Sequence, residues 1–253
     1  MSEARYAYGD SASAGDRLDM VARVFEPTSR RFLERAAPRI PTLALDLGCG
    51  PGNSTRLIAD VLRPQRTVGL DRSRSFLDRA GHAAPAGVEF FEHDVFVTPF
   101  PIGPAGVIFA RLLLAHLPDR AGVVGRWTTQ LDHGGVVLLD EIEELRTEEP
   151  AFAEYLPIAM EVVERSGGRL LAGPELGAMP EPPGTQRIWD EVVTLDTSAA
   201  AVAPIFAMNL RVLAERGEIE PQLRLEKELA AIAGRGGASI EWRIRQAAFR
   251  RVD

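Results

Sequence analysis

The chain is poor in cysteine: its 253 residues include only Cys49. A single thiol excludes an intrachain disulfide, so a reducing, cytoplasmic setting is expected. Positive charge is also in deficit, with 29 Lys and Arg against 36 Asp and Glu and a net charge of -7. That balance argues against a broad nucleic-acid-binding face. Long apolar runs are missing, and the opening MSEARYAYGD is charged from its third residue. Neither a membrane span nor a signal peptide is therefore expected. No internal repeat is present. The remaining composition, 45% hydrophobic and 26% charged, suits a soluble domain with appendages.

Residues 1–15 are small and polar with two tyrosines, which reads as a loose arm. Over 16–36, Leu18, Val21, Val24, Phe25, Phe32 and Leu33 recur at helical spacing. Pro27 is expected to divide this stretch into two short helices, because it removes a hydrogen bond and clashes with the preceding turn. From residue 41 the pattern alternates. TLALDLG, RTVGLD, GVEFFEHDV, AGVIFAR and GVVLLDE read as strands. NSTRLIADVL, SRSFLDRAGHA and DRAGVVGRWTTQLD read as helices between them, with Asn53 or Ser54 and then Ser73 as caps. Such alternation implies an α/β fold with a mostly parallel sheet and helices on both faces. Beyond Glu144 the rhythm breaks into helices, a glycine- and proline-rich loop (GPELGAMPEPPGT) and two late strands, RIWDEVVTLDT and ASIEWRIRQAAFRRV. These two are expected to add an antiparallel pair to the sheet, with the intervening helices as a cap.

LALDLGCGPGNSTRL, residues 43–57, carries the chemistry: a strand, an aspartate, and glycines at 48, 50 and 52. Glycine permits positive φ and lets a ligand approach the backbone without meeting a Cβ. A P-loop would end in Lys-Ser/Thr, which is absent, and a dinucleotide fingerprint wants glycine where Asn53 stands. Asp71 closes the second strand, where a carboxylate can accept both hydroxyls of a ribose. Asp94 closes the third, where one can accept from an adenine amine. The three strand ends suit an adenosine, with no feature dedicated to a pyrophosphate.

LDLGCGPG, VGLD and FEHDV resemble the first three motifs of the class I S-adenosylmethionine-dependent methyltransferases, over about residues 41 to 140. The resemblance implies a Rossmann-like, doubly wound, mostly parallel seven-stranded sheet with a late antiparallel strand, N-terminal helices and a helical cap. It divides the chain into an arm and lid helices at 1–36, a cofactor-binding core at 37–144, and a cap with the final strands at 145–253. By this resemblance Gly48, Gly50 and Asp46 lie at the methionine part of S-adenosylmethionine, Asp71 at its ribose, and Asp94 with Val95 at its adenine. Arg72 stacks on the adenine face or is simply solvated. FARLLLAHLPD resembles the segment after the fourth strand, so Arg111 holds a carboxylate of cofactor or substrate. His116 serves there as general base or packs beneath the cofactor. GDRLDMV resembles the start of the N-terminal helix in these enzymes and makes Arg17 a carboxylate contact. Tyr6 and Tyr8 are lid candidates. DEIEELRTEE, with Asp140 and Glu141, reads as a solvated acidic helix start, and no metal site is expected there.

The activity implied is methyl transfer from S-adenosylmethionine to an O, N or C atom of a small molecule, leaving S-adenosylhomocysteine, with natural-product metabolism as the expected setting. The alternatives are a protein of this fold that binds the cofactor without transferring its methyl, and a methyltransferase for RNA or protein. The chain's acidity, and the lack of an Asn/Asp-Pro-Pro-aromatic tetrad, weigh against RNA. The expected partner is a small molecule, with neither nucleic acid nor membrane, and a homodimer is compatible with it.

Overall fold

A computed structural model of the chain describes residues 8–37, 40–82, 84–235 and 238–252. Seven strands form one sheet in the order β3-β2-β1-β4-β5-β7-β6. β1 (Leu43–Leu47), β2 (Arg66–Asp71), β3 (Val88–Glu92), β4 (Ala105–Arg111) and β5 (Leu131–Thr147) pair in parallel. β7 (Ser239–Arg251) enters antiparallel between β5 and β6 (Thr185–Ser198), as the two late strands were expected to do. All five β1 residues are buried, so the apolar run LALDL lies at the centre of the sheet with layers on both faces. Those layers include α2 (Asn53–Leu62), α3 (Arg74–His82) and α4 (Arg120–Thr128). No helix among the described residues is long and apolar enough to cross a membrane.

Five sequence expectations are corrected. α1 runs unbroken from Ala12 to Ala36 with Pro27 inside it. An interior proline costs about 3 kcal/mol. Phe25 on one side of Pro27 and Phe32 with Leu33 on the other are buried in separate cores, each side chain contributing about 1.5–3 kcal/mol, and that outweighs the proline. α2 is capped by Gly52 in the left-handed region and not by Asn53 or Ser54, whose side chains bond elsewhere. α4 ends at Thr128, so Leu131 and Asp132 belong to the following strand. The expected acidic helix start is the second half of β5: Asp140 through Thr147 pair with β7, and Asp140 and Glu141 are buried. A short helix, α6 (Gly173–Ala178), also stands inside the glycine- and proline-rich loop. Ser73 does cap α3, accepting from the Phe76 N–H at 3.2 Å.

The length of the last three strands builds the cap. β1 to β4 have five to seven residues, whereas β5, β6 and β7 have 17, 14 and 13. The excess projects past the carboxyl ends of the parallel strands as an antiparallel ribbon. α5 (Pro150–Arg165), α7 (Ala199–Glu215) and α8 (Leu223–Arg235) pack on it with α1, forming a second core around Phe152, Phe206 and Trp242. Crevices outside the carboxyl ends of parallel strands are where such sheets bind ligands, and the ribbon with its helices closes that crevice from one side.

Candidate active site

The turn after β1 holds Gly48 and Gly50 at φ of +63° and +52°. A Cβ at Gly48 would also stand 2.7 Å from Leu113 Cδ1, so that side chain would have to shift. The Gly50 N–H donates to Asp71 Oδ2 at 2.8 Å, and the Ser73 N–H donates to Asp71 Oδ1 at 2.8 Å. Each carboxylate oxygen keeps a second acceptor direction for a ligand. Burial pushes the Asp71 carboxyl up, while the two backbone donors pull it back. Asp94 is exposed two residues past the end of β3 and accepts from the Phe96 N–H at 2.9 Å. The Val95 carbonyl accepts from Trp127 Nε1 at 2.8 Å. A bare-backbone turn with carboxylates at two successive strand ends fits an amino-acid-bearing adenosine by its donor and acceptor chemistry.

Asp46 stands apart from this set. Its buried carboxylate accepts from Ser54 Oγ at 2.7 Å and Thr55 Oγ1 at 2.6 Å, tying β1 to the first turn of α2 beneath the glycines. Burial raises its pKa to about 6, against the pull of those two hydroxyls. Its role is to position the turn. Arg111 is also engaged. Its guanidinium lies 3.4 Å from Ser29 Oγ, and Ser29 in turn donates to Asp140 at 2.5 Å. Burial lowers the Arg111 pKa, with Asp140 and Asp46 opposing.

A cavity of about 1180 Å³ contains the remaining sequence candidates within the described residues. Tyr8, Arg17, Gly48, Gly50, Asp71, Arg72, Asp94, Val95, Arg111 and His116 all line it; Tyr6 lies outside the described residues. Tyr8 is 3% exposed, with the Arg17 guanidinium 4.7 Å over its ring and His116 edge-on at 6.4 Å. The arm is therefore folded over the cavity at Tyr8. His116 ends a 3₁₀ turn, Leu114–His116, and its pKa falls to about 3, first through burial and then through Arg17, Arg72 and Arg120. The turn is held by Glu141, whose Oε1 accepts from the Leu114 N–H at 2.7 Å. Burial raises the Glu141 pKa to about 8. Leu112, just before the turn, is held at φ +53° with its N–H on the Asp140 carbonyl. A non-glycine residue in that region marks a loop fixed by its surroundings.

The far half of the cavity escaped the motif reading. Tyr155, Phe206, Asn209 and Trp242 line it together with Val24 and Ile142. Asn209 Nδ2 donates to the Tyr155 hydroxyl at 2.5 Å, and Arg17 donates to Asn209 Oδ1 at 3.3 Å, joining α7, α5 and α1 across the wall. One signal was available: Asn209 is a lone amide within the apolar helix AVAPIFAMNLRVL.

Residues 45–139 match the methyltransferase domain family. A trans-aconitate 2-methyltransferase of Azoarcus sp. (strain BH72) is 35% identical over 111 residues, covering 44% of this chain and 43% of that protein. One from Rhizobium leguminosarum bv. trifolii (strain WSM2304) is 36% identical over 132 residues, covering 49% and 51%. The chain thus spans about half the length of these relatives. Among solved structures, coclaurine N-methyltransferase bound to N-methylheliamine and SAH superposes with a TM-score of 0.56 at 15% identity, covering 89% of this chain and 72% of that one.

Proposed function

We propose, from a chain whose residues 45–139 match a methyltransferase domain, an S-adenosylmethionine-dependent enzyme that methylates an O, N or C atom of a small molecule. One observation carries this reading. The Asp71 carboxylate, clamped by the Gly50 and Ser73 N–H groups, opens on a cavity that continues into an apolar lobe under the cap. The first half matches a nucleoside and the second leaves room for an acceptor beside it. At about 1180 Å³ the cavity exceeds the roughly 300–1,000 Å³ of a site for one small ligand. The apolar lobe also supports a specialised metabolite as acceptor.

When bound, the cofactor supplies a methyl group already made electrophilic by its sulfonium. The chain's work is to align a nucleophile with the S–CH₃ bond and exclude water, worth roughly 7–11 kcal/mol in favourable cases. Asp71 would take the ribose hydroxyls and Asp94 with Val95 the adenine, with Arg72 at its face. The backbone of Gly48 and Gly50 would run beside the methionine part, and Arg17 and Arg111 would set the potential at its carboxylate end. Tyr8 would cover the cofactor and keep water out. His116, poor as a proton acceptor among three arginines, serves better as wall than as general base.

Calorimetry with S-adenosylmethionine and S-adenosylhomocysteine tests the cofactor reading, and absence of micromolar binding to either refutes it. Asp71→Ala is expected to weaken S-adenosylhomocysteine at least about tenfold, since a buried acceptor pair is lost. Unchanged affinity would remove Asp71 from the ribose. Transfer itself is read by incubating methyl-labelled cofactor with small-molecule acceptors.

A further inference from the structure

The segment from Leu113 to His116 walls the cavity beside the glycine turn. Leu113 lies against Gly48, and Ala115 and His116 line the cavity next to it. A single 3₁₀ turn makes few hydrogen bonds of its own, so its position depends on what holds its remaining polar backbone. Glu141 takes the Leu114 N–H. The carbonyls are held from another direction. Arg120 Nε donates to the Leu114 carbonyl at 2.9 Å, and the Arg169 N–H donates to the Ala115 carbonyl at 2.7 Å. Gly168 permits that second approach, since a Cβ there would run into the Ala115 carbonyl oxygen. Both arginines then converge on one side chain, Glu175 of α6. Its Oε2 accepts from Arg120 Nη1 at 2.8 Å, and its Oε1 lies 2.5 Å from Arg169 Nε.

Exposure decides which of the two pairs matters. The Arg169 side chain is 55% exposed, so its pair with Glu175 is screened and worth little. Arg120 is only 12% exposed, and its Nη2 is buried with no hydrogen-bond partner. Glu175 is the one carboxylate paired with it among the described residues. A guanidinium so far out of water depends on that counter-charge. Glu175 is also a fixed point, because Ala172 and Leu176 to either side are fully buried in the core that holds Leu114 and Leu117. Resting on the methyl-transfer reading, we propose that Glu175 is a positioning residue for the cofactor: acting through Arg120, it sets the Leu113–His116 turn that faces the methionine part of S-adenosylmethionine. Glu175 stands outside residues 45–139, so the cap segment reaches back to the cofactor half of the cavity. Leu170 and Leu171, next to Arg169, line the cavity as well, which puts this bracket and part of the apolar wall on one stretch of chain.

The test uses the full chain and two ligands that share a nucleoside. S-adenosylhomocysteine carries the amino-acid end, and 5′-methylthioadenosine lacks it. In Glu175→Ala, calorimetry is expected to show S-adenosylhomocysteine at least about fivefold weaker, with 5′-methylthioadenosine, read by displacement, within about twofold of the parent. A general loosening of the fold would weaken both ligands together. Glu154→Ala removes a cap ion pair of similar exposure, that with Arg224, and is expected to leave both affinities within about twofold. In an Arg120→Ala background, Glu175→Ala is expected to add less than about twofold, because the route is already cut. Unchanged S-adenosylhomocysteine binding in Glu175→Ala, equal weakening of both ligands, an equal loss in Glu154→Ala, or full additivity with Arg120→Ala would each overturn the proposal. A parent that binds neither ligand would instead defeat the methyltransferase reading beneath it.

Discussion

At the scale of single residues, burial decides which ionisable groups can change charge. His116, held neutral down to about pH 3, is expected to contribute no inflection to kcat/KM between pH 5.5 and 8 beyond those of the acceptor. A limb near pH 6.5 that vanishes in His116→Gln would restore it as a base. Glu141 behaves oppositely. Its folded pKa of about 8 lies above the ordinary value of 4.5, so the folded state binds the proton more tightly than the unfolded chain. Its contribution to stability is then full below about pH 4.5 and is lost as pH rises toward 8. Asp46 and Asp140 shift in the same direction. Glu141→Gln keeps an acceptor for the Leu114 N–H and removes the ionisation. Thermal melts from pH 5 to pH 9 are therefore expected to fall less steeply in the variant than in the parent, and equal slopes would refute the assignment. The placement of the motif glycines and Asp71 was legible at this scale because it depends on backbone freedom and strand-end position. The support from Asp46 and Glu141 was not, because nothing in the sequence says which carboxylates are buried.

Among the elements, α1 departs from local rules by continuing through Pro27, as α5 and α7 do through Pro157 and Pro204. Pro27 leaves a carbonyl of the preceding turn without its helical donor, yet burial on both sides holds the helix together. Pro27→Ala is expected to raise stability by about 1–3 kcal/mol, read as a higher urea midpoint at unchanged slope. A lower midpoint would mean that the helix geometry around Pro27 is itself needed for the packing of Phe25 and Phe32. β5 makes the same point in reverse. Its acidic second half has the composition of a solvated helix start, but pairing with β7 fixes it as strand, and cross-strand arginines meet its acids. Arg245 takes both oxygens of Glu143, at 2.7 and 3.0 Å. Such partners lie about a hundred residues apart in the chain, beyond the reach of a local reading.

For the whole molecule, the cavity lies between a sheet whose strand ends are proposed to hold a nucleoside and a cap that supplies the apolar wall. A ligand filling the first half must therefore stabilise the entire fold. S-adenosylhomocysteine at a hundred times its Kd is expected to add about 2.7 kcal/mol, or about 5–10 °C in Tm for a chain of this size. Scanning calorimetry checks this. A shift that survives intact in Asp71→Ala at the same concentration would show that binding energy comes from elsewhere.

The sequence by itself determined the parallel half of the sheet, the antiparallel late strands and the cofactor turn. Buried strands read as apolar runs, and a backbone that must come close to a ligand needs glycine at fixed positions. Only the tertiary structure decided what the second half of the cavity looks like. Val24, Tyr155, Phe206, Asn209 and Trp242 come from four separate elements, α1, α5, α7 and β7, whose side chains meet because the long antiparallel ribbon carries the cap over the strand ends. A turn that binds a cofactor is a local object, written in consecutive residues. An acceptor pocket assembled across some two hundred residues is set by packing, and its charge and shape exist only once the chain has folded.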